Sequence, residues 1–261
     1  WRTRLAPSVG AAFETAWGGG GGMPLLVSFD GAVAFRPPQL EPSWRTKHAT
    51  DWLHVDQGAT KRGMCGLQAQ LLLWDQSEAS GGLVCIPRSH HRHDLLVAPH
   101  RTADYVPIDP NDARLADLGE VRLICAGAGD LVIWDSRCVH ASESADPGAP
   151  MPLEEDDEPD GVRGRPRLAR AAALVCMVPA APALADRPWL PIERMKLVSC
   201  GATTTHWPQE ITVVSKGPGP RRDAMQMLSA EARALVRGEM CLTRSRNRSA
   251  EVSRAALAAM H

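Results

Sequence analysis

Apolar residues fall along this chain in short runs that break at Gly, Asp or Pro, a pattern of strands and turns rather than of long helices. Residues 24–30 and 32–35 read as two strands split by the turn signal Asp30-Gly31, and residues 52–56, 66–74 and 82–87 follow in the same style. Strand signal returns at 121–125, is strongest at 130–134, and reappears as a buried strand at 171–178. Residues 88–120 are polar with short apolar pieces, which predicts a loop and a helix around 110–118. The spacing of Met225, Leu228, Ala232, Leu235 and Val236 predicts a helix over 222–237, stopped by Gly238. Many short strands with few helices point to a mainly β barrel or sandwich with flanking helices. We expect a single domain over 1–241, interrupted by an oligoglycine loop at 18–22 and an exposed, acidic, proline-rich loop at 146–166. A basic stretch at 242–261 forms a tail or a docking helix.

Composition narrows this picture without changing it. The 261 residues, 44% hydrophobic, suffice for a full core, and 21 prolines and 22 glycines supply the turns. A formal net charge of −1 offers no general attraction to nucleic acid or to an acidic membrane surface, so partners must come from sites. The seven cysteines are scattered with no CxxC pair, which argues against a zinc knuckle or redox dithiol and for buried thiols in a reducing compartment, cytoplasm or organelle matrix. The apolar run from Ala171 is too short and too interrupted by proline to span a bilayer. The chain begins at Trp1 rather than methionine, so an upstream portion, with any targeting peptide, is expected outside this numbering.

The chemistry starts at Asp51-Trp-Leu-His-Val-Asp-Gln-Gly58. On a strand, positions i and i+2 share a face, so His54 and Asp56 converge on one point only if this segment is extended. Gly129-Asp-Leu-Val-Ile-Trp-Asp-Ser-Arg-Cys-Val-His140 supplies a second histidine at a strand end. Two histidines and one carboxylate make a facial triad, which leaves the other face of an iron ion open for co-substrate and oxygen.

These segments, together with Val27-Ser-Phe-Asp-Gly31, Gly82-Leu-Val-Cys-Ile-Pro-Arg-Ser-His90, Arg170 to Pro179 and Thr204-Thr-His-Trp-Pro208, resemble the phytanoyl-CoA dioxygenase-like (PhyH) branch of Fe(II)- and 2-oxoglutarate-dependent oxygenases. The resemblance implies a double-stranded β-helix, or jelly roll, with Fe(II) as metal and 2-oxoglutarate as co-substrate. Carried over position by position, it makes His54, Asp56 and His140 the metal ligands and Arg170 the partner of the distal carboxylate of 2-oxoglutarate, a task that suits a planar guanidinium. Arg167 and Arg165 are rivals for that task, because the acidic loop lengthens the path from His140. Gln68 matches a polar strand residue that faces the co-substrate pocket. Gln57 follows the ligand carboxylate and is placed to orient it or to meet substrate, and Arg137 is placed to meet an acidic substrate. His206 either lines the mouth of the pocket or caps the core. The Pro-Gly-Ser-His turn usual in such proteins is here Pro87-Arg-Ser-His90, which leaves the conformation of that loop open.

Plainer roles compete with these. The cluster Ser89-His-His-Arg-His93 looks like a metal tract but follows a strand in a turn, where surface or hydrogen-bonding roles are expected. Trp52 and Trp134 are most simply core residues. Arg170 could instead pair with the acidic loop. The reading that results is a dioxygenase that uses O2 to hydroxylate a small-molecule or lipid-like substrate. A carboxylate at position 56 fits hydroxylation, since related halogenases keep a small residue there. Two other readings stand beside it: a non-catalytic jelly-roll subunit or scaffold of a larger assembly, and a cupin-like lyase or isomerase without 2-oxoglutarate, from which Arg170 separates it.

Overall fold

The computed structural model describes residues 2–19, 22–45, 48–102, 104–150, 152–153, 167–215 and 228–239. The acidic run from Glu154, Arg165, the start of the helix expected from Arg222 and the basic tail lie outside the described residues. In chain order the elements are α1 (Pro7–Ala16), β1 (Leu25–Val27), β2 (Ala32–Phe35), β3 (His54–Gln57), β4 (Leu67–Leu72), β5 (Gly82–Cys85), α2 (His93–Val97), β6 (Asp104–Pro107), β7 (Arg122–Leu123), β8 (Leu131–Asp135), β9 (His140–Glu143), β10 (Arg170–Pro179), α3 (Ala180–Asp186), α4 (Leu190–Ser199), β11 (Thr203–Thr204), β12 (Val213–Ser215) and α5 (Ala230–Arg237). The chain divides into two compact units. Among the described residues, the first holds those up to Gly31, Gly66–Gln70 and those from Leu174 onward, and the second holds those of Ala32–Cys65 and Leu71–Ala173.

The second unit carries the candidate chemistry. One of its sheets is antiparallel with strand order β6-β3-β9-β5-β7. In the other, β2 pairs with Arg170–Ala173 at the start of β10, Leu73 N–H donates to the Ala171 carbonyl at 2.9 Å, and Leu72 exchanges hydrogen bonds with Asp130 and Gly129 beside β8. The chain therefore alternates sheets at β2, β3, β4 and β5, and again at β8, β9 and β10. That alternation is the double-stranded β-helix, so the mainly β jelly roll expected from the sequence is the fold observed.

Side-chain alternation splits the β6-β3-β9-β5-β7 sheet into two chemically different faces. Val55, Val84, Val106, Val139 and Ala141 point one way and join Leu96 and Val97 of α2, Ile108 and Leu115 in a buried apolar cluster. Each fully buried aliphatic there contributes roughly 1.5–3 kcal/mol of transfer free energy. This cluster sets the register of β3 and β9, because a one-residue slip would turn valines to the opposite face and histidines into the cluster.

Two local elements differ from the sequence-based expectation. The helix expected around 110–118 is only a 3-10 turn, Ala113–Leu115, because side chains compete for the backbone: Asp109 accepts from Asn111 N–H at 2.9 Å and Asp112 from Arg114 N–H at 2.9 Å. A short helix forms earlier instead, at α2, where Leu96 and Val97 bury into the cluster.

In the first unit, β1 pairs antiparallel with the far half of β10, with Val27 opposite Met177. Arg194 of α4 is buried there, donating to the carbonyls of Val236 at 2.7 Å, Pro208 at 2.6 Å and Val27, with its guanidinium over the Phe29 ring. α5 starts at the cap Ser229, whose hydroxyl accepts from Ala232 N–H at 3.1 Å, and stops at Gly238, which has φ 74° as a left-handed C-terminal cap requires. Helices α3 and α4 carry little apolar periodicity and follow from packing rather than from a legible stripe.

Candidate metal centre

His54 and Asp56 on β3 point to the same face, as alternation requires, and the register places His54 directly opposite His140, the first residue of β9. The ligand atoms of His54, Asp56 and His140 all lie within 4.8 Å of one another. His54 Nε2 is 3.6 Å from Asp56 Oδ1, and His140 Nε2 is 3.3 Å from Asp56 Oδ2. The structure thus brings together the three residues that the sequence assigned to a metal.

The backbone orients both rings. His54 Nδ1–H donates to the Trp52 carbonyl at 2.9 Å and His140 Nδ1–H to the Cys138 carbonyl at 2.9 Å. A ring whose Nδ1 holds a proton in such a bond presents Nε2 as the ligating atom. Burial pulls the His140 pKa down, but contact with the Asp56 carboxylate outweighs it and leaves the imidazole above its ordinary value. Two aimed Nε2 atoms around one carboxylate, nearly shielded from water, form a donor set that fits a divalent cation of the iron type.

Arg170 lies at the start of β10, 2% exposed, opposite Phe35 and with its guanidinium 4.0 Å from that ring centroid. It donates to the Ser142 hydroxyl, and to the Glu143 carbonyl at 3.4 Å, while its Nε is buried without a hydrogen-bond partner. Ser142 is two residues beyond His140 on β9 and so shares its face. Burial pulls the Arg170 pKa down to about 10, against a smaller opposing pull from Glu143. The group stays cationic at neutral pH and, among the described residues, forms no ion pair. A buried cation in that condition calls for an anionic partner, and a carboxylate meets it in a two-pronged way. Arg167 also has a buried Nε without a partner, but it precedes the strand and its N–H is held by the Pro152 carbonyl at 3.0 Å.

The other sequence candidates have partners or surroundings of their own. Gln57 is fully buried on the face of β3 opposite to Asp56, donating to the carbonyls of Lys61 at 3.1 Å and Gly63 at 2.6 Å and accepting from Cys65 N–H at 3.2 Å and the Ser136 hydroxyl at 2.9 Å. Arg137 forks onto Asp135, with Nε 3.0 Å from Oδ1 and Nη2 2.6 Å from Oδ2. Gln68 is buried in β4, and His206 lies in the first unit against Trp207, with ring centroids 4.8 Å apart. In the histidine cluster, His93 is buried and donates from Nε2 to the Gln57 carbonyl at 2.6 Å, a hydrogen-bonding role as expected.

Three neighbours of the centre were not foreseen. His54 lies between Trp52, at a centroid distance of 5.4 Å, and Tyr105, at 4.7 Å. Tyr105 is half exposed and holds φ 44°, a left-handed conformation rare for a bulky side chain in a strand. Trp134 of β8 abuts His140, with centroids 5.5 Å apart. No sequence signal marks Tyr105, because its place depends on β6 pairing with β3.

A family model described as phytanoyl-CoA dioxygenase (PhyH) matches residues 33–146. The Ava biosynthesis cluster protein O of Aspergillus versicolor is 28% identical over 155 residues, covering 54% of this chain and 48% of that protein. Among solved structures, the non-heme alpha ketoglutarate dependent carbocyclase SnoK from nogalamycin biosynthesis is 19% identical with a TM-score of 0.42, covering 69% of this chain and 58% of its own. EctD from S. alaskensis, solved with 2-oxoglutarate and 5-hydroxyectoine, is 16% identical with a TM-score of 0.40, covering 69% of this chain and 52% of its own. The chain spans about half the length of these proteins.

Proposed function

We propose that this protein, whose residues 33–146 match the phytanoyl-CoA dioxygenase (PhyH) family model, is an Fe(II)- and 2-oxoglutarate-dependent dioxygenase that hydroxylates a small-molecule or lipid-like substrate. The observation that carries the reading is the convergence of His54, Asp56 and His140 beside a buried arginine that forms no ion pair among the described residues. When bound, Fe(II) with 2-oxoglutarate supplies oxidative decarboxylation to succinate and carbon dioxide and, from O2, the oxidising power for hydroxylation.

The residues of the chain hold and orient. His54 and His140 offer Nε2 because their Nδ1 protons are held by backbone carbonyls, and Asp56 offsets part of the metal's charge. Arg170 takes the distal carboxylate of 2-oxoglutarate, and the Phe35 ring beneath its guanidinium excludes water from that contact. Trp52 and Tyr105 fix the plane of the His54 ring. Within this reading Gln57 and Arg137 act inside the fold, since their polar atoms are engaged by the 61–65 loop and by Asp135. The family name does not specify the substrate, and nothing among the described residues marks a coenzyme A site.

A jelly-roll scaffold would have no use for the same arrangement, because an unpaired buried guanidinium costs stability unless a ligand repays it. Anaerobic titration of the protein with Fe(II) and 2-oxoglutarate tests the assignment. A visible charge-transfer band of the chelate is expected, and it should disappear in His54→Ala. Metal-replete protein without the band would overturn the reading.

A further inference from the structure

Trp134 has an indole N–H that is buried without a hydrogen-bond partner among the described residues, although the residue as a whole is only part-buried. Its ring lies beside His140 at a centroid distance of 5.5 Å, tilted by 54°. The other indole at the centre is satisfied: Trp52 Nε1–H donates to the Ser142 carbonyl at 3.2 Å. A donor shielded from water and unmatched within the protein loses free energy until an acceptor arrives, so its position beside a candidate metal ligand points to a ligand acceptor.

Arg170 supplies a second buried donor without a partner, and its contacts fall at Ser142 and Glu143. Along a strand, Ser142 lies about 7 Å beyond His140. One ring with an unmatched donor therefore packs beside His140 at the start of β9, and the guanidinium reaches β9 two and three residues farther along, an order suited to the two ends of a short dicarboxylate. Arg170 takes the distal end in the reading above, which leaves the end nearer the metal for Trp134. A neutral indole N–H suits that place, because it can hydrogen-bond an oxygen without competing for the metal or adding charge.

Resting on the oxygenase reading, we propose that Trp134 binds 2-oxoglutarate, its indole N–H donating to the carboxylate end held at the metal. In zinc-loaded protein labelled with 15N-tryptophan, 2-oxoglutarate should move the Trp134 indole N–H resonance downfield, a readout that needs no turnover. In Trp134→Phe, which keeps an aromatic ring but removes the donor, the anaerobic Fe(II) titration should show 2-oxoglutarate binding roughly tenfold to a hundredfold weaker. Fe(II) affinity should be unchanged and the melting temperature no lower, since the lost donor made no bond within the protein. An indole signal that stays still while the wild-type band forms would overturn the proposal and leave the oxygenase reading intact. Wild-type 2-oxoglutarate affinity in a folded Trp134→Phe would do the same. A wild-type protein with no band would overturn both. If Trp134→Phe does not fold, the wild-type indole signal decides alone.

Discussion

Arg88 stands where the family motif has glycine, and its backbone adopts φ 63° and ψ 4°, the left-handed conformation that glycine takes without cost. The loop holds a non-glycine residue in the left-handed region, at the expense of local strain. Arg88→Gly should therefore raise stability by about 0.5–1 kcal/mol, seen as a higher urea midpoint with an unchanged slope; a lower midpoint would mean that the arginine side chain makes a larger contribution than its exposed position suggests. At Arg170 the matter is ligand geometry. Lysine keeps the charge but loses the planar fork, so Arg170→Lys should weaken 2-oxoglutarate binding roughly tenfold or more in the anaerobic titration. Unchanged affinity would move the assignment to Arg167 or Arg165. Arg170 was legible in the sequence only through the family motif, whereas its burial, its ring contact with Phe35 and its unmatched Nε come from strand pairing.

At the scale of elements, β3 carries two kinds of information in alternate positions. His54 and Asp56 face the candidate centre, while Val55 enters the apolar cluster and Gln57 ties down the 61–65 loop through three side-chain hydrogen bonds and accepts a fourth from the Ser136 hydroxyl. Removing that side chain in Gln57→Ala would leave several of those partners without a bond, with an expected loss of about 2–4 kcal/mol by urea unfolding. A loss under about 0.5 kcal/mol would show that water replaces the amide without penalty. Most of the strands were legible, because short β-branched runs between turn residues have few other structures open to them. Helix 110–118 was not foreseen correctly, since Asp109 and Asp112 hydrogen-bond the backbone and limit it to one turn. β6 went unseen because its few residues become a strand only by pairing with β3.

For the whole molecule, metal binding and folding should be linked, because the proposed ligands come from two strands that are close only when the sheet has formed. Cobalt(II) at about a hundred times its dissociation constant should stabilise the protein by about 2.7 kcal/mol, a rise in melting temperature of about 5–10 °C. The rise should vanish in Asp56→Ala; persistence there would place the metal elsewhere. What the sequence determined alone was most of the strands, the shared face of His54 and Asp56, and the identity of the distant histidine, because side-chain alternation and short motifs are local properties of the chain. Only the tertiary structure set His54 opposite His140, placed Arg170 within reach of Ser142, and brought Trp134 and Tyr105 to the two histidines. Those relations depend on register and sheet order, which arise from burying Val55, Val84 and Ala141 in one cluster and which no local stretch of sequence contains.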